Sequence, residues 1–363
     1  MVMIPVTKPF LPPKEEYQEV VDEVWNSGWL TNSGPLVNQL EAKLAKKLKV
    51  SNLLFVANGT LALQLSIKAL ELQGDIITTP FSFVATTSSI VWENCNPVFV
   101  DIDKETLNID SAKIEASITP NTAAILATHV YGNPCDVFEI ERIAKKYALK
   151  VIYDGAHAFG VEVNGVSIFE FGDITICSTH ATKIFHTVEG GFVVTKSNEL
   201  HNTIKQMTNF GFKDALSFSR LGINTKNSEF HAAMGIVNLK YVEENFKLRK
   251  ELCLTYDDLL DEFVNKPSWC SNATNSYSYY PVLFNSEKEL KACQKALEKE
   301  DIYTRRYFYP LLSESLPYVS KVSLSVAEEV SKTILCLPLY RALSKVQVEK
   351  ICSIIQTVLI TIR

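Results

Sequence analysis

The stretch CSTHATKIFHTVEGG, which begins at Cys177, places residue types that could do chemistry around one lysine. Lys183 follows a Ser-Thr-His-Ala-Thr lead-in and precedes Glu-Gly-Gly, so the segment is too polar for a simple core strand. A lysine amine can bond covalently to an aldehyde carbon. An isolated lysine is usually an ordinary surface side chain. The role of Lys183 therefore depends on what the rest of the chain supplies.

A second stretch, Asn58-Gly59-Thr60, lies between the apolar run LLFVA and a segment with helical periodicity. The first N–H groups of a helix have no partner inside the helix, and they attract anions. Together with the Thr60 hydroxyl they would form a phosphate-binding site. Taken alone, such a tripeptide more often indicates an ordinary helix cap.

A third stretch, DGAHA from Asp154, follows the apolar run VIYD and places a carboxylate and the imidazole of His157 at a predicted strand end. Open α/β sheets bind ligands at the carboxyl edge of their strands. Ser178 and Lys183 follow another predicted strand and would lie at the same edge. The alternative interpretation is that Asp154 only caps the next turn.

A phosphate-binding site, a strand-end carboxylate and a lysine farther along the chain are together what pyridoxal 5'-phosphate (PLP) requires of a protein. Lys183 would form a Schiff base with the aldehyde of PLP. Asp154 would keep the pyridine nitrogen protonated, so that the ring can accept electrons. Each feature is weak evidence alone, but the three in this order are fairly specific.

The elements that would position these residues alternate between short apolar runs and longer amphipathic segments from about residue 53 to residue 195. This pattern predicts βαβ units and a largely parallel, buried sheet. Helices are expected from Thr60, over 137–149, and as one long helix from Ser228. The predicted strands are 53–57, 76–79, 97–102, 123–129, 151–154, 174–178 and 190–195.

A smaller α+β unit is expected from about Tyr277 onward. Its predicted strands are 277–284 and 302–308, and its predicted helices are 287–299 and 346–361. We therefore divide the chain into a large domain with the N-terminal segment, residues 1–240, and a small C-terminal domain, residues 241–363.

Composition limits the function classes. The chain has 363 residues, of which 47% are hydrophobic and 21% charged, and a net charge of -5, which gives no reason to expect nucleic-acid binding. We find no signal peptide and no membrane-length apolar run, so we expect a cytoplasmic protein without a membrane partner. The eight cysteines have no spacing typical of a metal site, and no metal is expected. Motifs of dinucleotide dehydrogenases, P-loop ATPases, α/β hydrolases and zinc proteases are absent.

The chain resembles the sugar aminotransferases of the DegT/DnrJ/EryC1/StrS family. That resemblance implies the aspartate-aminotransferase-like PLP fold (fold type I), an α/β fold with a mixed, mostly parallel seven-stranded sheet in the large domain and a smaller C-terminal α+β domain. It covers most of the chain and rests on the segments 27–41, NGTLAL (58–63), PFSFVAT (80–86), 97–103, DGAHAFG (154–160), STHATKIFHTVEGG (178–191) and GINTKNSEFHAAMG (222–235).

The resemblance also implies roles for individual residues. Lys183 would be the Schiff-base lysine, Asp154 the partner of the pyridine nitrogen, and His157 a neighbour of the phenolic oxygen. Phe83 would stack on the cofactor ring. The phosphate would be held by Gly59, Thr60 and Ser178, and by Asn224 from the second subunit of a homodimer. Substrate contacts would come from Trp29, Thr31, His180 and Lys226.

Two positions depart from the family pattern. Relatives usually have an aromatic residue where Thr179 stands, and often arginine where Lys226 stands. Neither change removes an expected cofactor contact. They weaken inference about the substrate, since lysine and arginine bind a diphosphate differently.

The resemblance implies a PLP-dependent aminotransferase that moves an amino group from L-glutamate to a nucleotide-linked keto sugar for O-antigen or other glycan biosynthesis. The segment from His180 to Gly191 is most similar to members that aminate C4 of a 4-keto-6-deoxy sugar such as dTDP-4-keto-6-deoxy-D-glucose. Members that aminate C3 are the nearest alternative. A dehydratase branch has histidine in place of Lys183, which counts against it. A non-catalytic, PLP-binding regulator would need an appended module, for which the chain ends are too short.

Overall fold

The computed structural model describes residues 3–363, and the local sequence pattern explains most of its elements. The strands are β1 (Leu53–Val56), β2 (Asp75–Thr78), β3 (Asn96–Phe99), β4 (Thr122–Thr128), β5 (Lys150–Asp154), β6 (Glu162–Val163), β7 (Val166–Ser167), β8 (Ile174–Ser178), β9 (Gly191–Val194), β10 (Phe212–Asp214), β11 (Ser217–Phe218), β12 (Tyr280–Leu283) and β13 (Ile334–Leu337).

The helices connect these strands and cover them. They are α1 (Lys14–Ser27), α2 (Pro35–Leu48), α3 (Gly59–Ala69), α4 (Val84–Trp92), α5 (Ser111–Ile114), α6 (Val137–Tyr147), α7 (Asn198–Met207), α8 (Glu229–Leu239), α9 (Val242–Leu260), α10 (Glu287–Glu298), α11 (Leu312–Ser315), α12 (Ser325–Thr333) and α13 (Lys345–Ile362). Among residues 3–363, no helix is both long and apolar enough to cross a membrane.

The large sheet has seven strands in the order β1-β9-β8-β5-β4-β2-β3. Neighbours from β8 to β3 are parallel, whereas β9 runs antiparallel to both β1 and β8. The seven predicted strands are confirmed, and their ends differ from the prediction by at most three residues. The carboxyl ends of β1, β4, β5 and β8 therefore lie at one edge of the sheet.

Alternate residues of each strand point into two separate cores, because a strand directs successive side chains to opposite faces. In β4, Ile125 and Ala127 pack in the core that also contains buried residues of α2, α6 and α8. Leu126 packs on the other face with buried residues of α3 and α7. The sheet is covered on both faces, which is why its strands are apolar throughout.

The predicted strand over 97–102 ends early, at Phe99, because the chain turns toward the second part of the molecule. The Asp101 carboxylate accepts hydrogen bonds from the Val326 and Ala327 N–H groups at 3.1 and 2.9 Å, in the first turn of α12. A short acidic side chain at a helix N-terminus is favourable there. Asp101 therefore joins the large sheet to the C-terminal part of the chain, residues 241–363, which we call the small domain.

The predicted long helix from Ser228 is wrong, because the structure has two helices there. At Tyr241 the backbone leaves helical geometry, with φ -106° and ψ -1°. Up to that point α8 packs on the large sheet, and afterwards α9 buries Leu252 and Tyr256 in a different core. The change of direction allows one run of apolar residues to serve two cores.

The predicted strand over 302–308 is also wrong. This segment makes only single bridges, from Ile302 to Ile4 and from Arg305 to Cys336. The partner of β12 is instead β13, which the sequence prediction missed. The helices predicted at 287–299 and 346–361 are present as α10 and α13.

A third hydrophobic core, separate from the two on the faces of the large sheet, is formed by β12, β13, α9, α10 and α13. Ile4 also belongs to it: its N–H donates to the Asp301 carbonyl at 2.9 Å, and its carbonyl accepts from Tyr303 at 2.8 Å. The first described residues therefore pack with the C-terminal part of the chain. The domain boundary at residue 240 stays a prediction.

Glu229, at the start of α8, is a buried carboxylate that caps the N-terminus of another helix, α2. The two carboxylate oxygens accept hydrogen bonds from the Leu36 and Val37 N–H groups at 2.7 and 3.1 Å. Glu229 is only 1% exposed. Gly34, which precedes α2, has no side chain to cap the helix itself. Glu229 supplies that cap from a distant part of the sequence.

We predict that Glu229→Ala lowers the free energy of unfolding by about 1–3 kcal/mol, because two N–H groups would be left buried without an acceptor. The matched control is Glu243→Ala, which removes an exposed carboxylate that pairs with Lys47 of the same helix α2. Exposed pairs contribute about 0–1 kcal/mol. Urea unfolding at one protein concentration compares the two variants. Equal losses of unfolding free energy in Glu229→Ala and Glu243→Ala would contradict the prediction.

Candidate active site

A cavity of about 330 Å³ lies at the carboxyl edge of the large sheet, against the small domain. Its lining contains all the residues predicted to contact the cofactor from within one chain, together with one predicted substrate residue. These are Gly59, Thr60, Phe83, Asp154, His157, Ser178, Lys183 and His180. The remaining predicted residues, Trp29, Thr31, Asn224 and Lys226, do not line it.

Asp154 is the last residue of β5 and is buried. Its Oδ2 accepts a hydrogen bond from Thr86 Oγ1 at 2.7 Å, and its Oδ1 accepts one from the Ala156 N–H at 3.1 Å. Burial raises the pKa of the carboxyl, whereas these two bonds and the charge of Lys183 oppose the rise. A carboxylate so placed favours a cationic group at the base of the cavity.

Lys183 lies on the loop between β8 and β9 and is half-buried. Its Nζ donates to the Tyr279 hydroxyl at 3.5 Å. Burial lowers the pKa of the Lys183 ammonium from its usual value, although the Asp154 carboxylate acts in the opposite direction. A lowered pKa makes the neutral, nucleophilic amine easier to form.

His157 is buried in the loop after β5, beside the aromatic ring of Tyr279 with centroids 4.6 Å apart. Burial, and secondarily the charge of Lys183, lowers the pKa of the imidazole well below its usual value, so the ring is neutral. Its Nδ1 accepts from the Tyr131 N–H at 3.2 Å. The proton of the neutral ring is therefore on Nε2, which can donate to an oxygen atom.

The N-terminus of α3 forms an anion-binding corner of the cavity. Asn58 is the cap, and its Oδ1 accepts from the Leu61 N–H at 2.8 Å. The N–H groups of Gly59 and Thr60 precede that bond and are the ones left to bind a ligand. Both interpretations of this tripeptide are thus compatible: Asn58 caps the helix while its neighbours remain available.

Close packing behind this corner requires glycine. Gly191 pairs with Ser178 across β8 and β9. A Cβ atom on Gly191 would lie 2.7 Å from the Asn58 carbonyl carbon and 2.8 Å from the Gly59 nitrogen. A side chain there would push the helix N-terminus out of place. The Glu-Gly-Gly exit of the lysine segment therefore shapes the anion-binding corner.

Phe83 precedes α4 at the rim of the cavity and is 51% exposed, although it is a large apolar residue. An aromatic face left open at a cavity rim is suited to stacking against a flat ring. The expected stacking role of Phe83 stays a prediction.

His180 lies at the cavity mouth with Glu189. Its Nδ1 accepts from the Thr182 N–H at 3.2 Å, and its Nε2 lies 3.5 Å from Glu189 Oε1. The neighbouring Thr179, the unusual threonine of this segment, is buried and its hydroxyl bonds to Thr187 Oγ1 at 2.7 Å. Thr179 therefore stabilises the loop rather than contacting the cavity.

Asn224, which is expected from a second subunit, and the predicted substrate residues Trp29, Thr31 and Lys226 lie apart from this cavity. Asn224 is exposed and its backbone pairs with Asn209, whose side chain accepts from Lys226 Nζ at 2.7 Å. Trp29 and Thr31 are exposed in the segment between α1 and α2. This placement is compatible with a shared site, and their roles stay predictions.

One wall of the cavity comes from the small domain, and the sequence prediction missed it. Tyr279, Arg305, Tyr307 and Phe308 line this wall. The Arg305 guanidinium lies over the Tyr307 ring, 4.9 Å from its centroid. The sequence predicts strands at YSYYPVLF (277–284) and IYTRRYF (302–308), and β12 forms within the first of them. The density of aromatic and basic side chains in these two runs is a signal for a ligand-facing wall.

The sheet order together with a lysine and a carboxylate at its carboxyl edge defines an aminotransferase of fold type I. The chain belongs to the DegT/DnrJ/EryC1/StrS aminotransferase family, whose model matches residues 13–356. The family and fold expected from the sequence are thus confirmed.

Individual relatives match nearly the whole chain. It is 40% identical over 362 residues to dTDP-4-amino-4,6-dideoxy-D-glucose transaminase of Shigella dysenteriae, covering 97% of this chain and 98% of that protein. The structure of DesI in the presence of its TDP-sugar product has a TM-score of 0.92 at 29% identity, covering 98% and 92%. An aminotransferase from Bacillus cereus that is named as PLP-dependent has a TM-score of 0.90 at 26% identity, covering 98% and 100%.

We predict that Gly191→Ala weakens the affinity for PLP by about 5- to 150-fold, because an overpacked core costs about 1–3 kcal/mol and the strain falls on the anion-binding corner. Fluorescence titration of the apoprotein measures the affinity. The control is Gly165→Ala, where a Cβ meets nothing within 4 Å but the φ of +77° also strains the backbone. A similar loss of affinity in both variants would contradict a local effect at the corner.

Proposed function

We propose that this aminotransferase uses PLP and transfers an amino group from L-glutamate to C4 of a nucleotide-linked 4-keto-6-deoxy sugar, with dTDP-4-keto-6-deoxy-D-glucose as the substrate. The observation that carries the chemistry is the meeting of Lys183, Asp154 and the N-terminus of α3 in one cavity. The relative at 40% identity supports the choice of sugar.

The donor set of the cavity fits PLP at each end. The free N–H groups of Gly59 and Thr60 suit the phosphate, and the buried Asp154 carboxylate suits a protonated ring nitrogen. Lys183 lines the same cavity and can reach an aldehyde, and the open face of Phe83 suits the ring. When bound, PLP supplies an electron sink for the charge that develops at the reacting carbon.

Each residue of the cavity would then have its own role in the reaction. Asp154 would hold a proton at the ring nitrogen. Lys183 Nζ, with its pKa lowered by burial, would carry the proton between the substrate carbon and the cofactor, in one direction for the amino donor and in the other for the keto sugar. Tyr279 accepts a hydrogen bond from that amine and so orients it. His157 Nε2 would donate a hydrogen bond to the phenolic oxygen of the cofactor.

A homodimer with shared sites is part of the proposal. Asn224 is exposed and Lys226 is half-buried, and neither lines the cavity of its own chain, although they match the family positions expected at cofactor and substrate. Around them lie exposed apolar side chains, with Leu216 96%, Phe218 66% and Leu221 71% exposed. Clustered apolar exposure is typical of an interaction surface.

A cytoplasmic location and a role in O-antigen or other glycan biosynthesis complete the proposal. All eight cysteines are free thiols, and seven of them are buried. Unpaired thiols are typical of a reducing compartment.

The test of the sugar assignment is turnover with a panel of dTDP- and UDP-linked 4-keto and 3-keto sugars, with L-glutamate as donor and NMR identification of the product. We expect kcat/KM for the dTDP-linked 4-keto-6-deoxy sugar to exceed that of its 3-keto isomer by about tenfold or more, because the hydrogen bonds of a sugar site discriminate hydroxyl positions. Preference for the 3-keto sugar would assign C3 chemistry. Binding of PLP without any turnover would favour a regulator.

We predict that Lys183→Ala abolishes covalent attachment of PLP and reduces transamination by orders of magnitude while the fold is kept. Borohydride reduction followed by peptide mass spectrometry should find the cofactor on the Lys183 peptide of the parent. The control Lys196→Ala removes an exposed lysine after β9 and should retain both attachment and activity. Turnover near that of the parent in Lys183→Ala would rule out the assigned role.

We predict that inactive Lys183→Ala subunits and inactive Asn224→Ala subunits regain activity when mixed. Loss of one phosphate hydrogen bond costs about 1–3 kcal/mol, or roughly 5- to 150-fold in affinity, so the assay uses PLP below the Kd of the Asn224 variant. In a shared site, the mixed dimer has one site with both defects and one with neither. No recovery despite demonstrated subunit exchange would show that each site belongs to one subunit.

A further inference from the structure

Three buried hydroxyl groups lead to the Asp154 carboxylate. Thr128 ends β4, Ser82 lies in the turn before α4, and Thr86 lies in the first turn of α4; their residues are 3%, 2% and 0% exposed. Ser82 Oγ is 2.9 Å from Thr128 Oγ1 and 2.8 Å from Thr86 Oγ1. Thr86 Oγ1 is in turn 2.7 Å from Asp154 Oδ2.

The carboxylate fixes the direction of every bond in this row. An ionised carboxylate only accepts, so Thr86 must donate its single proton to Asp154. The Thr86 oxygen then accepts from Ser82, because Thr86 has no second proton to give. For the same reason the Ser82 oxygen accepts from Thr128. The three O–H dipoles therefore point the same way, toward the negative charge.

We propose that Thr128, Ser82 and Thr86 form a one-directional hydroxyl chain that positions the Asp154 carboxylate and holds it in its ionised form. These are positioning residues, since Ser82 and Thr128 act on Asp154 through Thr86. Hydrogen bonds in a row polarise one another, by about 10–30% per bond. The inference rests on the proposed function for its catalytic meaning, because an ionised Asp154 is what keeps a ring nitrogen protonated.

The other groups around Asp154 give the carboxylate little help. The titratable groups that face it are Lys183 on the loop after β8, Cys177 on β8 and His157 in its own loop. Burial raises the pKa of the Cys177 thiol and lowers the pKa of His157, so both are neutral. Burial also lowers the pKa of Lys183. Hydrogen bonds from Thr86 and Ala156, more than the charge of Lys183, therefore support the buried charge of Asp154.

The residue after Thr86 provides a matched control. Thr87 is equally buried on the same helix, but its Oγ1 has no hydrogen-bond partner among residues 3–363. Thr87→Val removes a hydroxyl group that is not part of the hydroxyl chain. It should leave Asp154 unchanged and cost no stability, since an unpaired buried hydroxyl is itself unfavourable.

The test follows the protonation of Asp154 in the apoprotein by infrared difference spectroscopy, using the acid carbonyl band that Asp154→Asn removes. Thr86→Val should raise the pH at which this band disappears by about one to two units, because it deletes a hydrogen bond to a charged group. Ser82→Ala should move it in the same direction by roughly 0.1–0.6 units. Thr86→Ser keeps the donor and should restore the value of the parent.

The decisive variant is the double one, Ser82→Ala with Thr86→Val. If Ser82 acts through Thr86, the double variant shifts no further than Thr86→Val alone. Two results would contradict the proposed hydroxyl chain. One is additive shifts of the transition pH in the double variant, and the other is a shift in Thr87→Val as large as that in Thr86→Val. Since the measurement needs neither cofactor nor turnover, its failure is separate from a failure of the proposed function. In the PLP-loaded enzyme, the acid limb of kcat should move to higher pH in the same order of variants.

Discussion

The proposed function requires a carboxylate that remains charged inside the protein, and the rest of the site depends on this constraint. Asp154 is 4% exposed, and burial alone would favour its neutral form. The fold meets this constraint with donors from two sides: the Ala156 N–H, set by the turn after β5, and Thr86, presented by α4. Parallel strands then place Lys183 at the same edge, because β5 and β8 end together.

The second requirement is that the large and the small domain meet at one cavity. Tyr279 and Tyr307 come from the small domain, and the Tyr131 hydroxyl of the large domain donates to the Tyr307 carbonyl. The N-terminal segment adds a second link. Ile4 pairs with Ile302, while the Phe10 carbonyl lies 2.6 Å from Nε2 of His186, three residues beyond the lysine. The segment that bears the lysine is therefore held from both domains, which limits the freedom of its amine.

The parts of the structure that could be predicted are those that depend on neighbours in sequence. Each strand of the large sheet is a short apolar run that ends in polar residues, and strand ends placed Asp154 and Ser178 at one edge without further information. The break at Tyr241 was not predictable from periodicity, because apolar spacing continues across it. The strand expected at 302–308 failed because its aromatic residues, which favour strands, face the cavity instead.

The hydroxyl chain of Thr128, Ser82 and Thr86 shows why the rest of the site could not be predicted from the sequence. Ser82 and Thr128 are 46 positions apart, and Thr86 and Asp154 are 68 apart. No periodicity links such positions, and serine or threonine in an apolar helix usually bonds to its own backbone. Ser82 and Thr128 lie on separate elements, and the register of β4 and β5 places Thr128 opposite Asp154. The predicted site residues Lys183 and Asp154 follow from the sequence, but the hydroxyl groups that lead to Asp154 follow from packing.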